Sequence, residues 1–313
     1  MAFFPLTMCK GICFVIIEGK KVGIEMWQQR IEVEAPYDFS RVLERLAQDP
    51  LSAVDIEKQQ LVMPFYINET PVAVSVRSIG TKQEPVFLVE APYEQLKEVI
   101  LSRLFHILHW DRSLLPIHKH FLQTELRDIF LEHEGTPLVL ESDLYFCLIK
   151  CIIHQQLHMK VAYKMTERFV KTFGQEIDGV WFYPRPEQIA RLSYDELKAL
   201  QFSGKKAEYM IDISRLIVEG KLDLGRLVGA TDEEVMKTLL AIRGIGPWTV
   251  QNFLMFGLGR PNLFPKADIG LQRAVQNLLS LETKPSLAQM EALSKRWEPY
   301  LSYASLYLWR SIE

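Results

Sequence analysis

The stretch at 239–256 reads LLAIRGIGPWTVQNFLMF, and FPKADIGL follows at 264–271. The first predicts a helix, a tight turn and a second helix. Its two glycines, Gly244 and Gly246, flank Ile245, and glycine tolerates positive φ and close backbone approach. A helix opening straight after such a turn offers unpaired N–H groups and the positive end of its dipole. That arrangement can receive a phosphate. No Lys-Ser/Thr pair accompanies it, which argues against a nucleotide-triphosphate loop. It follows a helix and not a strand, which argues against a dinucleotide fold. A nucleic-acid backbone remains as the phosphate source. The plainer alternative is an ordinary glycine turn between helices.

Charge points the same way locally, not globally. The 313-residue chain has a formal net charge of −3, so nucleic-acid binding has to rest on a patch. Residues 241–275 hold Arg243, Arg260, Lys266 and Arg273 against Asp268 alone. A solvated basic face would read identically. Asp268 itself stands about twenty residues past the turn, just after Pro265. It reads either as a helix N-cap or as a carboxylate facing a cationic transition state on DNA.

Working outward, residues 28–121 predict an α+β unit with an antiparallel sheet. AVSVRSI (73–79) and VFLVEA (86–91) have strand character, while FSRVLERLAQ and EQLKEVILSRLFHIL have helical spacing. Residues 122–313 predict an all-α region, with LYFCLIKCIIHQQLHMKVAYKMTERFVKTFG at near-helical period over a long span. Thr231 and Glu234 form a capping box ahead of the hairpin. Residues 1–27 are an extension of unknown role. Its apolar run, GICFVII, is too short for a bilayer and lacks a basic leader. A soluble, cytoplasmic chain is expected.

Two metal readings are weighed and set aside. Cys9/Cys13 and Cys147/Cys151 share C-x3-C spacing, which could assemble four thiolates, but the second pair lies in the apolar run YFCLIKCII and reads as buried small hydrophobes. His106, His109, His118 and His120 form a loose pattern. No metal is assigned.

The hairpin and the aspartate together, at this spacing, resemble the helix-hairpin-helix DNA glycosylase superfamily. APYDFSRVLERL, SRLFHILHWD, IIHQQLHMKVAYKMTERFV and RWEPYLSYASLYLW extend the likeness to the bacterial 3-methyladenine DNA glycosylase II branch, from about residue 28 to the end. The resemblance implies an enzyme that extrudes a damaged base from double-stranded DNA and hydrolyses its bond to the sugar, acting at the nucleoid as a monomer. It implies Asp268 as the catalytic carboxylate, Trp248, Trp309 and Asn252 at the base pocket, and Arg243, Gly244, Ile245, Gly246, Thr249 and Lys266 on the DNA backbone. Gln156 stands where relatives have a leucine wedge, so Gln156 or Leu157 fills the gap left by the base. Asn252 replaces a pocket tyrosine.

Trp248 occupies the position of the lysine that makes some relatives strand-cutting lyases, and tryptophan forms no Schiff base. A monofunctional alkylpurine glycosylase is therefore expected. A bifunctional oxidised-purine glycosylase/lyase and a non-catalytic helix-hairpin-helix DNA-binding protein are the alternatives. No cofactor is expected. The cysteine quartet of an iron–sulfur cluster is missing, and the resemblance allows a monovalent cation on hairpin carbonyls.

Overall fold

The computed structural model describes the backbone of residues 12–17 and 20–312, and the side chains from Glu25 to Ile312. Six antiparallel strands form one sheet in the order β1-β2-β6-β5-β4-β3. They are β1 (Ile12–Ile17), β2 (Lys20–Glu32), β3 (Ala53–Asp55), β4 (Gln60–Ile67), β5 (Thr70–Ser78) and β6 (Val86–Pro92). Alternation fixes their faces. Leu61, Met63, Phe65 and Ile67 of β4, Val72, Val74 and Val76 of β5, and Phe87, Val89 and Ala91 of β6 are all buried. Helices Phe39–Leu46 and Lys97–Ile107 supply apolar stripes of their own, Phe39/Val42/Leu43 and Ile100/Leu104/Ile107. Phe87 meets Tyr37 and Phe39 edge-on and stacks on Trp110 with centroids 4.6 Å apart. Pro64 fits inside β4 because β3 pairs only with Gln60, Leu61 and Val62. Beyond that point β4 is an edge, where a missing N–H breaks no ladder.

β2 crosses the boundary drawn at residue 27/28, and its residues Met26 and Trp27 pair with Pro92 and Ala91 of β6. The Cys9/Cys13 pairing lies outside the described side chains. Cys13 falls on a strand and not on a helix.

The helical half differs from expectation at two places. The long apolar span splits into Leu144–His154 and Met159–Phe173. Gln155 leaves helical geometry at ψ 127°, and Gln156 has φ +56°. The all-α expectation is also corrected by a small hairpin, β7 (Gln175–Ile177) and β8 (Val180–Phe182). Its turn residues Asp178 and Gly179 both have positive φ, as an Asp-Gly hairpin turn requires. Phe182 packs edge-on against Tyr66 of β4 at 5.5 Å. The Thr231/Glu234 capping box forms as read, and helices Leu287–Ser294 and Leu301–Arg310 are separated around Pro299.

The two halves share one continuous apolar cluster. Polar ties cross as well: Lys150 Nζ lies 2.9 Å from both Asp49 and Glu141, and Arg310 lies 3.2 Å from Glu44. Burial alone would lower the Lys150 pKa, but Glu141 and Asp49 outweigh it and hold the ammonium well above its usual value. Among the described residues no helix is long and apolar enough to cross a membrane.

Candidate active site

The hairpin is built as its sequence suggests, with one change in why. Helix Asp232–Leu240 leads into the turn, and helix Pro247–Asn252 leaves it and continues as a π-helical turn, Phe253–Gly257. Gly244 has φ +93°, and a Cβ there would stand 2.2 Å from the Tyr209 ring. Both conformation and contact demand glycine. Gly246 instead has φ −105° and ψ 174°, open to any residue, and a Cβ there would meet nothing within 4 Å. The space in front of its backbone is open.

Ile245 is 6% exposed, and its N–H donates to the Ile242 carbonyl at 3.1 Å. That amide is used inside the turn, and Pro247 at the head of the second helix has no N–H. Thr249 is 1% exposed, with its hydroxyl accepting from Gln155 Nε2 at 2.8 Å. The hydroxyl is therefore used inside the protein, and only the backbone of Thr249 remains to meet a ligand. Asn252 is buried and donates to the Trp248 carbonyl at 2.8 Å, so it supports Trp248 from within the helix.

Asp268 starts helix Ile269–Leu278 as its N-cap, Oδ1 accepting from Leu271 N at 2.9 Å. It does more than cap. Trp248 Nε1 donates to Oδ2 at 3.1 Å, and Trp309 Nε1 donates to Oδ1 at 3.0 Å. The hairpin, the helix after Pro265 and the C-terminal helix thus converge on one half-buried carboxylate. A Cβ on Gly270 would lie 3.2 Å from Oδ1 and 3.4 Å from the Trp309 ring, so a side chain there would crowd this pair. Trp309 stacks on Phe256 with centroids 6.1 Å apart, and the Arg45 guanidinium lies 4.8 Å from the centroid of the Phe256 ring.

The basic segment is less free than its composition implies. Arg260 donates to the Val228 and Ala230 carbonyls and pairs with Asp232. Arg243 pairs with Glu208 at 2.6 Å and covers Tyr209, and Lys266 pairs with Glu291. Arg243 and Lys266 remain substantially exposed. Exposed pairs are worth about 0–1 kcal/mol, little enough for a phosphate to displace the acid. Counting within one segment could not see Glu208, Asp232 or Glu291 arriving from elsewhere.

The turn between Leu144–His154 and Met159–Phe173 exposes Gln156 and half-buries Leu157. Gln155, which the sequence reading passed over, binds the hairpin. Lys206 Nζ takes the Ile153 and Gln155 carbonyls at 2.6 and 2.9 Å. Adjacent glutamines in HQQL were the available signal. Each of the Ile242, Gly244 and Gly246 carbonyls accepts one hydrogen bond, leaving a second lone pair on each for a cation. Among the described residues no group of His, Cys, Asp and Glu is placed to hold a metal. Cys147 and Cys151 are buried free thiols, the former pushed up by the Cys151 hydrogen bond and by burial.

Comparison with known proteins gives this geometry a family. Residues 149–299 match the HhH-GPD superfamily of base excision DNA repair proteins. The Bacillus subtilis protein YfjP, whose name carries DNA-3-methyladenine glycosylase as provisional, is 54% identical over 92% of this chain and 100% of its own length. The chain belongs to the HhH-GPD superfamily. A second relative, the DNA-3-methyladenine glycosylase of Bacillus subtilis, is 32% identical over 82% of this chain and 87% of that one. The solved 3-methyladenine DNA-glycosylase from Archaeoglobus fulgidus shares the fold at TM-score 0.80, covering 90% of this chain and 97% of that one at 22% identity. The mixed fold, with the hairpin in its C-terminal part, is that of this superfamily.

Proposed function

We propose that the chain is a monofunctional DNA glycosylase that extrudes alkylated purines, of the 3-methyladenine and 7-methylguanine type, and hydrolyses the bond to deoxyribose. The observation that carries this reading is the pair of indole N–H groups, from Trp248 and Trp309, bound to the two oxygens of Asp268. The names of the two Bacillus subtilis relatives support the substrate class.

Extrusion is needed because a stacked base exposes no sugar bond to attack. Hairpin amides hold the backbone without reading sequence, and Gln156, exposed on its positive-φ turn, fills the vacated stack. The glycosidic bond then breaks with its electron pair leaving on the purine. Positive charge develops on the sugar, and Asp268, held by fixed donors, stabilises it. Water adds to the sugar carbon and loses a proton, giving free base and an abasic site. A purine alkylated at N3 or N7 already carries positive charge, so it leaves without a general acid. Trp309 offers that cation an aromatic face.

Trp248 has no amine to attack the sugar, which supports an uncut product strand. The bifunctional oxidised-purine lyase would need such a group, and the non-catalytic reading leaves the doubly bound Asp268 unexplained. Duplexes carrying 3-methyladenine, 7-methylguanine, hypoxanthine or 8-oxoguanine separate the three. Free alkylated base without strand scission is expected. Scission without alkali would indicate the lyase, and no release from any duplex would indicate a binding module.

A further inference from the structure

Gln155 uses both protons of its side-chain amide on the hairpin. Nε2 lies 2.9 Å from the Gly244 carbonyl and 2.8 Å from Thr249 Oγ1. An amide NH2 has two donors, so this group is fully committed. Its targets flank the hairpin turn: Gly244 at the left-handed position, and Thr249 in the first turn of the following helix. Thr249 is 1% exposed, so its hydroxyl is shut away for this contact.

The backbone of the same residue is gripped from a third element. Lys206, in helix Gly204–Val218, donates to the carbonyls of Ile153 and Gln155. Those carbonyls end helix Leu144–His154, where the chain lacks helical partners. Burial around this contact lowers the Lys206 pKa, so the side chain bears a desolvation penalty to reach it. The next residue, Gln156, is exposed with φ +56°.

We propose that Gln155 and Lys206 are positioning residues that fasten the turn displaying Gln156 to the phosphate-facing hairpin, so that backbone grip and base extrusion act as one rigid unit. Neither side chain touches the base. Gln155 sets the distance from the hairpin to the wedge, and Lys206 keeps the turn from unwinding. With the staple cut, the hairpin still binds duplex, but the wedge no longer enters at a fixed depth. This inference rests on Gln156 being the wedge.

The test uses the full chain as wild type, Gln155→Ala, Gln156→Ala and the double variant. Extrusion is followed by 2-aminopurine fluorescence beside the lesion at saturating protein, and affinity for undamaged duplex is measured separately by anisotropy. Gln155→Ala is expected to slow extrusion about 10-fold while duplex affinity stays within about 3-fold, and the double variant should be no slower than Gln156→Ala, as coupled sites behave. Lys206→Met should reproduce the pattern, and it stands in for Gln155→Ala if that protein does not fold. Equal losses in extrusion and affinity would overturn the staple, as would multiplying losses in the double variant or wild-type extrusion in Gln155→Ala. A Gln156→Ala protein with wild-type extrusion would overturn the wedge reading itself, and the staple with it.

Discussion

Trp309 Nε1 lies 3.0 Å from Asp268 Oδ1, joining residues 41 apart in sequence. Together with Trp248 on Oδ2, it fixes the carboxylate before any substrate arrives. Trp309→Phe keeps an aromatic face and removes the donor. A hydrogen bond to a charged group is worth about 1.5–3 kcal/mol, or roughly 10- to 100-fold in rate if realised in the chemical step. Single-turnover base release should therefore fall at least about 10-fold, with duplex affinity retained. Release within about twofold of wild type would mean that the bond is structural ornament to a carboxylate held well enough without it.

The two hairpin glycines should respond oppositely. Gly244→Ala places a methyl on the Tyr209 ring at φ +93° and should cost about 2–4 kcal/mol of stability, read by urea denaturation. Gly246→Ala meets nothing within 4 Å, so its melting temperature should match wild type. A methyl on this open side stands where a phosphate would approach the hairpin, and duplex binding should weaken by about 10-fold. Equal destabilisation of both variants would refute the distinction.

His154 links the fold to pH. Burial, then Lys150, outweighs Asp49 and holds its pKa down to about 3 from 6.5. The native ring stays neutral while the unfolded chain takes up a proton below pH 6.5. Unfolded chains thus bind more protons in this window, and stability falls as pH drops from 6.5 toward 3, by at most about 1.4 kcal/mol per pH unit. Denaturant midpoints for wild type and His154→Gln should converge on acidification, the variant being flatter. Parallel curves would exclude His154 as the source.

Lys150 is flanked by Asp49 and Glu141, each at 2.9 Å. Lys150→Met would leave two carboxylates facing each other in a largely buried site. The expected loss is about 3–5 kcal/mol by chemical denaturation. A loss under about 1 kcal/mol would mean that water reaches the carboxylates.

Much of this was readable from sequence because it is local. Gly244, Thr231/Glu234 and the distance from Trp248 to Asp268 are short-range patterns, and each has a fixed physical meaning. What escaped was decided by distant partners. Nothing local to Thr249 shows that Gln155, 94 residues away, takes up its hydroxyl. Arg260 looked free until Asp232 and two carbonyls closed on it. The β7/β8 turn carries its own signal, Asp178-Gly179, but its strands are only three residues each, too short for an alternation to show. Asp268 was read as either a cap or a catalytic group. One oxygen caps Leu271 and also meets Trp309, while the other meets Trp248, so the cap is seen and capping does not exhaust the carboxylate.

The most direct measurement compares wild type with Asp268→Asn on a duplex carrying 7-methylguanine, scoring single-turnover base release, strand scission and duplex affinity together. Wild type should release free base and leave the strand intact. Asp268→Asn should bind within about 3-fold of wild type and release base at least about 100-fold more slowly, as expected when a group stabilising transition-state charge is removed. Near-wild-type release by Asp268→Asn would contradict the assignment of this carboxylate as the group on which the chemistry depends.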